Sequence, residues 1–407
     1  MILVLGFASG LPLFLTSVTL QAWMTKEGVD LTTIGLFSLV SLPYSIKFLW
    51  SPFMDRYVPP FWGRRRGWLV VTQIALLVAI ATMFFQNPKQ GVEILAINAI
   101  AIAFFSASQD IAFDAYRTDV LTSREMGAGA AITVLGYRLA LIVTGSLAFI
   151  LADHIPWPVV YLVMAALMAL GMLGTWLAPE PTKPAESPDN LVAAVIKPLG
   201  EFFQRQGIIL GSLILVFICL YKFGDGVLAS MSTPFLLKTG FSQTDLGAIR
   251  GGMGLVASIV GGLVGAAILS KIGINKSLMV FGILQAVSNG GYLAIALIGK
   301  NYSLLVLAIN LENFCGGMGT TALVAYLMSL CNPSYTAFQY ALLSSFMAFS
   351  RDVLLAPAGR VAELTGWINF MWISVFAGLP GLVLLLFVAP WHKSAMEWGE
   401  AETEELH

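Results

Sequence analysis

Apolar runs of about twenty residues, separated by short polar intervals, recur along the whole chain. A bilayer's hydrocarbon core takes about 20 helical residues to cross, so each run predicts a membrane helix. Twelve are predicted, at 1–24, 32–54, 68–86, 91–119, 124–152, 156–178, 208–237, 243–270, 277–299, 302–331, 335–363 and 367–390. Several exceed the bare spanning length, which predicts tilt or extension beyond the lipid. The first run has neither a charged n-region nor a small-residue cleavage site, so it is expected to be retained as a helix.

The longest polar interruption, "PEPTKPAESPDNLVAAVIKPLGEFFQRQG" at 179–207, parts six runs from six. A weak repeat crosses it at an offset of about 210 residues: "DLTTIGLFSLV" resembles "QTDLGAIRGGM", and "DAYRTDVL" resembles "VAYLMSL". The expected organisation is a six-helix bundle at 1–178, a cytoplasmic linker at 179–207, and a second bundle with a short cytoplasmic tail at 208–407. Two pseudo-symmetric six-helix bundles make the expected fold an all-α membrane protein of the major facilitator type. Sidedness follows from the basic residues. Alternate loops hold Arg56, Arg64, Arg65, Arg66, Arg124, Lys183, Lys197, Arg205, Lys271 and Lys276, with Lys393 in the tail; the opposite loops hold only Lys26, Lys89, Lys238, Lys300 and Arg360. The positive-inside rule then places both termini in the cytoplasm.

Composition agrees. Only 11% of the 407 residues are charged, against about 25% in soluble domains. A net charge of −1 gives no reason to expect a nucleic-acid partner. Cys219, Cys315 and Cys331 are scattered through apolar stretches, and His154, His392 and His407 form no cluster. Neither a disulfide framework nor a metal site is expected, and no cofactor. The HExxH and GxSxG patterns of membrane hydrolases do not occur, which argues against an enzyme. A monomer in contact with membrane lipid is expected.

An ionisable side chain at membrane depth costs about 2.5–3.5 kcal/mol on insertion scales, so it usually faces a partner or a water-filled path. The stretch "SASQDIAFDAYRTD" closes the fourth run with Asp110, Asp114, Arg117 and Asp119. The last three fall near the cytoplasmic end, whereas Asp110 lies about 6 Å deeper at 1.5 Å per residue. Asp110 and Asp114 stand at i, i+4 on one helix face. Two close carboxylates in poor solvent do not both ionise readily, so the pair is the candidate proton carrier. The other reading is structural: Asp110 neutralised by a cation from a neighbouring helix. Candidate cations are Lys47, Arg138 and Lys222 within runs, with Arg351 nearer a helix end. Several cations facing one cavity suit an anionic substrate; each can equally cancel an acid. Lys222 and Asp225 at i, i+3 are expected to pair, and Glu312 and Asn313 enter the tenth run. Tyr44 and Tyr221 are candidates for stacking on a sugar ring. The glycines of "GGMGLVASIVGGLVG" and "CGGMGTTA" are read as packing faces.

The loop "SPFMDRYVPPFWGRRRGW" resembles the signature loop of major facilitators, an acidic–basic pair followed by a basic cluster. Asp55 and Arg56 close one helix, while Arg64, Arg65 and Arg66 open the next. Such a cluster can grip helix ends and anionic lipid as a gate, or serve only as a topology anchor.

The runs "LGFASGLPLFLTSVTLQAWM", "KFLWSPFMDRYVPPFWGRRRGW", "SASQDIAFDAYRTDVL", "GAGAAITVLGYRLALIVTG", "LYKFGDG" and "ENFCGGMGTTALVAYLMSLCN" resemble the AmpG family of muropeptide permeases over nearly the entire chain. The resemblance implies proton-driven import, across the bacterial inner membrane, of anhydromuropeptides released by cell-wall turnover. These are disaccharides of N-acetylglucosamine and 1,6-anhydro-N-acetylmuramic acid bearing a short peptide. In that family import feeds wall recycling and β-lactamase induction. The resemblance also implies that Gly10, Ala107 and Gln109 matter for transport and that Asp110 couples the proton. Gln109 and Asn313 would meet sugar hydroxyl and acetamido groups. The alternative is a major facilitator that carries another solute, such as a drug or sugar conjugate.

Overall fold

A computed structural model describes residues 1–120, 126–179, 200–330 and 336–388. Among the described residues the regular structure is entirely helical, and nine helical stretches are long and apolar enough to cross a membrane. Of the three predicted runs outside these nine, 32–54 is broken into short pieces, whereas 302–331 and 335–363 hold the long helices Tyr302–Ser329 and Thr336–Leu355, whose polar residues dilute their apolar character.

The first run is two helices, α1 (Ile2–Leu15) and α2 (Val18–Lys26). Pro12 lies inside α1; it has no N–H for the ladder, and the helix stops one turn later. The second run is the most broken: α3 (Leu31–Leu36), a tight 3₁₀ turn at Phe37–Ser41, α4 (Leu42–Ile46), a second such turn at Lys47–Leu49, and α5 (Ser51–Arg56). Pro43 and Pro52 start α4 and α5, where a missing donor does no harm. Then follow α6 (Arg64–Thr82), α7 (Val92–Val120) and α8 (Met126–Ile142), a π-helical turn at Val143–Leu147, α9 (Ala148–Ala152) and α10 (Trp157–Trp176).

Beyond the interruption come α11 (Ile208–Tyr221), α12 (Phe223–Lys238) and α13 (Gln243–Leu246). A π-helical turn at Gly247–Gly254 leads into α14 (Leu255–Ile272), α15 (Ile274–Ile298) and α16 (Tyr302–Ser329). The last elements are α17 (Thr336–Leu355), α18 (Ala358–Phe376), broken at Gly366 where φ is +74°, and α19 (Leu379–Val388). Residues 121–125, 180–199, 331–335 and 389–407, including Cys331, His392 and most of the expected linker, lie outside the described residues, as do the side chains of Asp55, Arg56 and Arg351.

The helices form two compact units. One holds the described residues of Met1–Leu191 together with Ser232–Gly252 and Asp352–Arg360; the other holds those of Val192–Met231, Met253–Arg351 and Val361–His407. In the first, α1 lies directly on α8. A Cβ on Gly6 would stand 2.7 Å from the Thr133 carbonyl oxygen, and one on Gly10 would stand 2.8 Å from that of Tyr137. In the second, a Cβ on Gly265 of α14 would stand 2.8 Å from Met318 Cα on α16. Small residues allow such approaches where lipid supplies little hydrophobic drive between helices. Phe217, Leu278, Phe281 and Tyr326 build the second unit's core, and Leu5, Leu69, Phe113 and Tyr116 a core of the first. Ile97, Leu263 and Phe387 are more than half exposed, as lipid-facing side chains should be.

Candidate transport site

In the first unit the polar groups gather where α1, α4 and α7 meet. Ser9 of α1 donates its hydroxyl to Asp110 Oδ1 of α7 at 2.5 Å. The next residue, Gly10, seats α1 against α8, so the Ser9–Asp110 bond depends on a backbone approach that a side chain would obstruct. Lys47, in the 3₁₀ turn after α4, lies within electrostatic reach of Asp110, as do Asp114 and Tyr44. Among the described residues Lys47 and Asp110 form no ion pair closer than that. The alternative reading, Asp110 neutralised by a contacting cation from a neighbouring helix, therefore has no contact ion pair behind it among the described residues.

Around Asp110, hydrogen-bonding capacity is left over. Gln109 Oε1 is buried without a hydrogen-bond partner among the described residues, and Tyr44 Oη and Ser106 Oγ, though near each other, make no well-aligned hydrogen bond. A buried unfilled polar atom costs about 1–3 kcal/mol, so three in one region mark a place that a polar ligand or water completes. Beside it, a cavity of about 50 Å³ is lined by Thr16, Ser17, Gln21, Ser38, Ser41 and Tyr44, with Leu13, Leu20 and Phe37 completing the wall. Ala107 is fully buried on α7. Arg138 of α8 is half-buried with no ion pair among the described residues.

Asp114 differs from the expected close carboxylate pair. Its side chain is 57% exposed and lies 3.4 Å from Arg117 Nη2. One further turn of α7 has carried it out of the poor solvent that surrounds Asp110. The basic cluster of α6 grips helix ends: Arg65 Nε meets Asp119 Oδ2 at 2.7 Å, and Arg66 donates to the Thr175 and Trp176 carbonyls at 3.2 and 2.9 Å. Those carbonyls close α10, where a cation also complements the helix dipole. Arg64, half-buried, opens α6.

The second unit has its own polar cluster. Lys222 sits in the break between α11 and α12, 3.4 Å from the Gly316 carbonyl, and its ammonium contacts Asp225 Oδ2 at 2.6 Å. The contact is an ion pair without hydrogen-bond alignment, since Oδ2 accepts no hydrogen bond. Tyr221, a candidate for stacking on a sugar ring, is buried, and its hydroxyl donates to the Leu278 carbonyl at 2.9 Å. Asn313 likewise spends its amide on Ile309 O and Glu312 Oε2, each at 2.9 Å. Sequence reasoning did not single out Ser9, Gln285 or Asn289, which lie in these two polar clusters. Their only signal is polarity inside apolar helices, which many packing residues share.

The sequence profile of the Major Facilitator Superfamily matches residues 2–351. The chain is 51% identical over 387 residues to the anhydromuropeptide permease of Escherichia coli K12, covering 95% of this chain and 78% of that one. It is 31% identical over 397 residues to putative transporter AmpG 4 of Rickettsia felis, covering 95% of each. Among solved structures, the inward-open xylose transporter XylE of E. coli superposes with a TM-score of 0.71 at 10% identity, over 97% of this chain and 96% of that one. The nucleoside transporter NupG gives 0.69 at 13% identity, over 95% and 98%. The last two speak for the fold alone. The chain belongs to the major facilitator superfamily and, within it, to the AmpG-type permeases.

Proposed function

We propose that this protein imports anhydromuropeptides, N-acetylglucosaminyl-1,6-anhydro-N-acetylmuramic acid with or without a short peptide, from periplasm to cytoplasm, together with protons. The observation that carries the reading is the 51% identity to a named anhydromuropeptide permease over 95% of this chain. It is a multi-pass protein of the bacterial inner membrane. We take the chain as twelve spans in two six-helix halves, 1–178 and 208–407, joined by a cytoplasmic linker, with both termini in the cytoplasm; the loop distribution of Lys and Arg supports this orientation.

Asp110 is the proposed proton carrier. Ionised, a carboxylate only accepts hydrogen bonds; protonated, it gains a donor. The Ser9 hydroxyl donates to Asp110 Oδ1, so taking up a proton re-sorts the polar contact between α1 and α7. That links the proton to helix position, as alternating access requires. Lys47 and Arg138 are the proposed contacts for substrate carboxylates, and Gln109 and Tyr44 for its sugars, supported by the unfilled atoms at the latter two. The exposed Asp114–Arg117 pair fits a supporting role at the end of α7.

The test is uptake of labelled anhydromuropeptide by proteoliposomes of the purified protein. Accumulation is expected only with an inward proton gradient. Uptake that ignores the gradient would remove the coupling, and no saturable uptake at all would remove the substrate.

A further inference from the structure

The glycines of "CGGMGTTA" have two different jobs. Gly317 packs on the backbone of Ser258 and Gly262, where any side chain would collide; a Cβ there would stand 2.9 Å from Gly262 N. Gly316 and Gly319 instead look onto polar atoms at ordinary contact distance. A Cβ on Gly316 would stand 3.5 Å from Gln285 Oε1, and one on Gly319 would stand 3.6 Å from Lys222 Nζ. Beside Gly319 lies a cavity of about 10 Å³, lined by Lys222, Asp225, Gln285, Asn289 and Gly319 among others. That is about the room of one water.

The lining is incomplete. Gln285 is 5% exposed, and neither of its amide atoms has a hydrogen-bond partner among the described residues. Asn289, 1% exposed, spends Nδ2 on the Ser374 carbonyl at 3.2 Å and leaves Oδ1 unfilled. Asp225 Oδ2 faces Lys222 but accepts no hydrogen bond. Unfilled acceptors therefore outnumber unfilled donors, and the group that completes the notch must donate as well as accept from an atom of water's size. A hydroxyl does both through one oxygen. A trans amide, whose N–H and C=O point apart, does not.

We propose that Gln285, Asn289 and Gly319 form a specificity notch for one sugar hydroxyl of the cargo, with a water in its place when the carrier is unloaded. The notch rests on the proposed muropeptide function and deepens it. Recognition is local to the second unit: the hydroxyl donates to Gln285 Oε1 or Asn289 Oδ1 and accepts from Gln285 Nε2, while the Lys222–Asp225 pair fixes one wall. Glycine is needed at 319 because a methyl there would take up part of a water-sized space, and at 316 it leaves the Gln285 amide room beside it.

The experiment is equilibrium binding of radiolabelled N-acetylglucosaminyl-1,6-anhydro-N-acetylmuramic acid to the purified full-length protein, with a set of its monodeoxy analogues as competitors. Gln285→Leu and Gly319→Ala should each weaken the disaccharide about tenfold, as loss of one buried hydrogen bond does. One monodeoxy analogue should bind wild type about tenfold less tightly than the disaccharide yet bind Gln285→Leu equally well, the non-additivity expected of a direct contact. Gly319→Ala decides the matter if Gln285→Leu does not fold, because its methyl enters at ordinary van der Waals distance. Wild-type affinity in the folded variants, or additive losses throughout the deoxy series, overturns the notch alone. Absence of disaccharide binding to wild type overturns the substrate assignment, and the notch with it.

Discussion

The Asp153 carboxylate accepts the backbone N–H of Thr244 at 2.6 Å through Oδ2. Its Oδ1 accepts Gln243 Nε2 at 3.1 Å, so the loop after α9 caps the start of α13 from outside. Nearby, a Cβ on Gly247 would stand 2.7 Å from the Ser146 carbonyl, which brings the two π-helical turns to backbone contact. Ser242 and Asp245 close a capping box at the same helix end. Burial alone would raise the Asp153 pKa, but the bonds from Thr244 and Gln243 and the charge of Lys26 outweigh it and hold the carboxyl below 3.8. A lowered folded pKa gives support that is complete above the ordinary carboxyl range and lost as pH falls through the lowered value. Amide exchange at 243–247, corrected for intrinsic rate, should stay protected at about pH 5 and rise only below about pH 4. Asp153→Ala should remove that protection at every pH. Loss of protection near neutrality in wild type would contradict the cap.

Ser9 and Asp110 give a second expectation. Removing the hydroxyl leaves a carboxylate at membrane depth without its hydrogen bond, and bonds to charged groups contribute about 1.5–3 kcal/mol. Ser9→Ala should slow gradient-driven uptake by about tenfold or more while leaving the protein folded. Asp110→Asn should abolish accumulation and keep exchange of cargo across the membrane. Proteoliposome uptake and counterflow measure the two. Uphill accumulation by Asp110→Asn would end the proposed role of this carboxyl.

How much of this was readable from the chain depends on range. The charge at Asp110 stands out against its apolar surroundings, and the i, i+3 spacing already implies the Lys222–Asp225 pair. Helix breaks at Pro12 and before Pro52 have local causes as well. What the sequence could not show is which polar residue meets which across helices. Ser9 lies 101 positions from Asp110, and nothing local separates it from a serine that merely bonds its own helix, as Ser17 does with Leu13. The i, i+4 spacing of Asp110 and Asp114 implies one shared environment, yet Asp110 meets Ser9 while Asp114 is 57% exposed beside Arg117. The sequence presents these glycines alike, as packing faces, and only their three-dimensional neighbours distinguish Gly317 from Gly319.

Gly10 tests helix approach directly. Its Cβ would meet both the backbone and the ring of Tyr137, at 2.8 and 2.9 Å, and Ala140 Cβ at 3.1 Å. The backbone of α8 cannot move aside as a flexible side chain would, so Gly10→Ala must push α1 away from α8. Overpacking of this kind costs about 1–3 kcal/mol, and it also pulls Ser9 from Asp110. Thermal melting in detergent should drop by several degrees, with uptake falling further than the melt alone explains. Gly252→Ala, which would meet nothing within 4 Å, should leave both unchanged.

Arg65 and Asp119 supply the last expectation. Their side chains are only 10% and 18% exposed, and Arg65 Nε stands 2.7 Å from Asp119 Oδ2. The pair ties the start of α6 to the end of α7, the helix that carries Asp110. Removing one member of a buried pair leaves the other charge poorly solvated and costs about 3–5 kcal/mol, whereas replacing both with apolar residues can be nearly neutral. Some water reaches this pair, so Asp119→Asn should destabilise by an amount near the lower figure. Arg65 has further contacts, so Arg65→Met should lower the melting temperature more than Asp119→Asn does. The double variant Arg65→Met/Asp119→Leu should recover part of the loss, and a double-mutant cycle on thermal melting gives the coupling. If the pair does more than hold two helices together, the double variant will melt near wild type and still transport slowly. Strictly additive melting shifts would mean the two residues act separately.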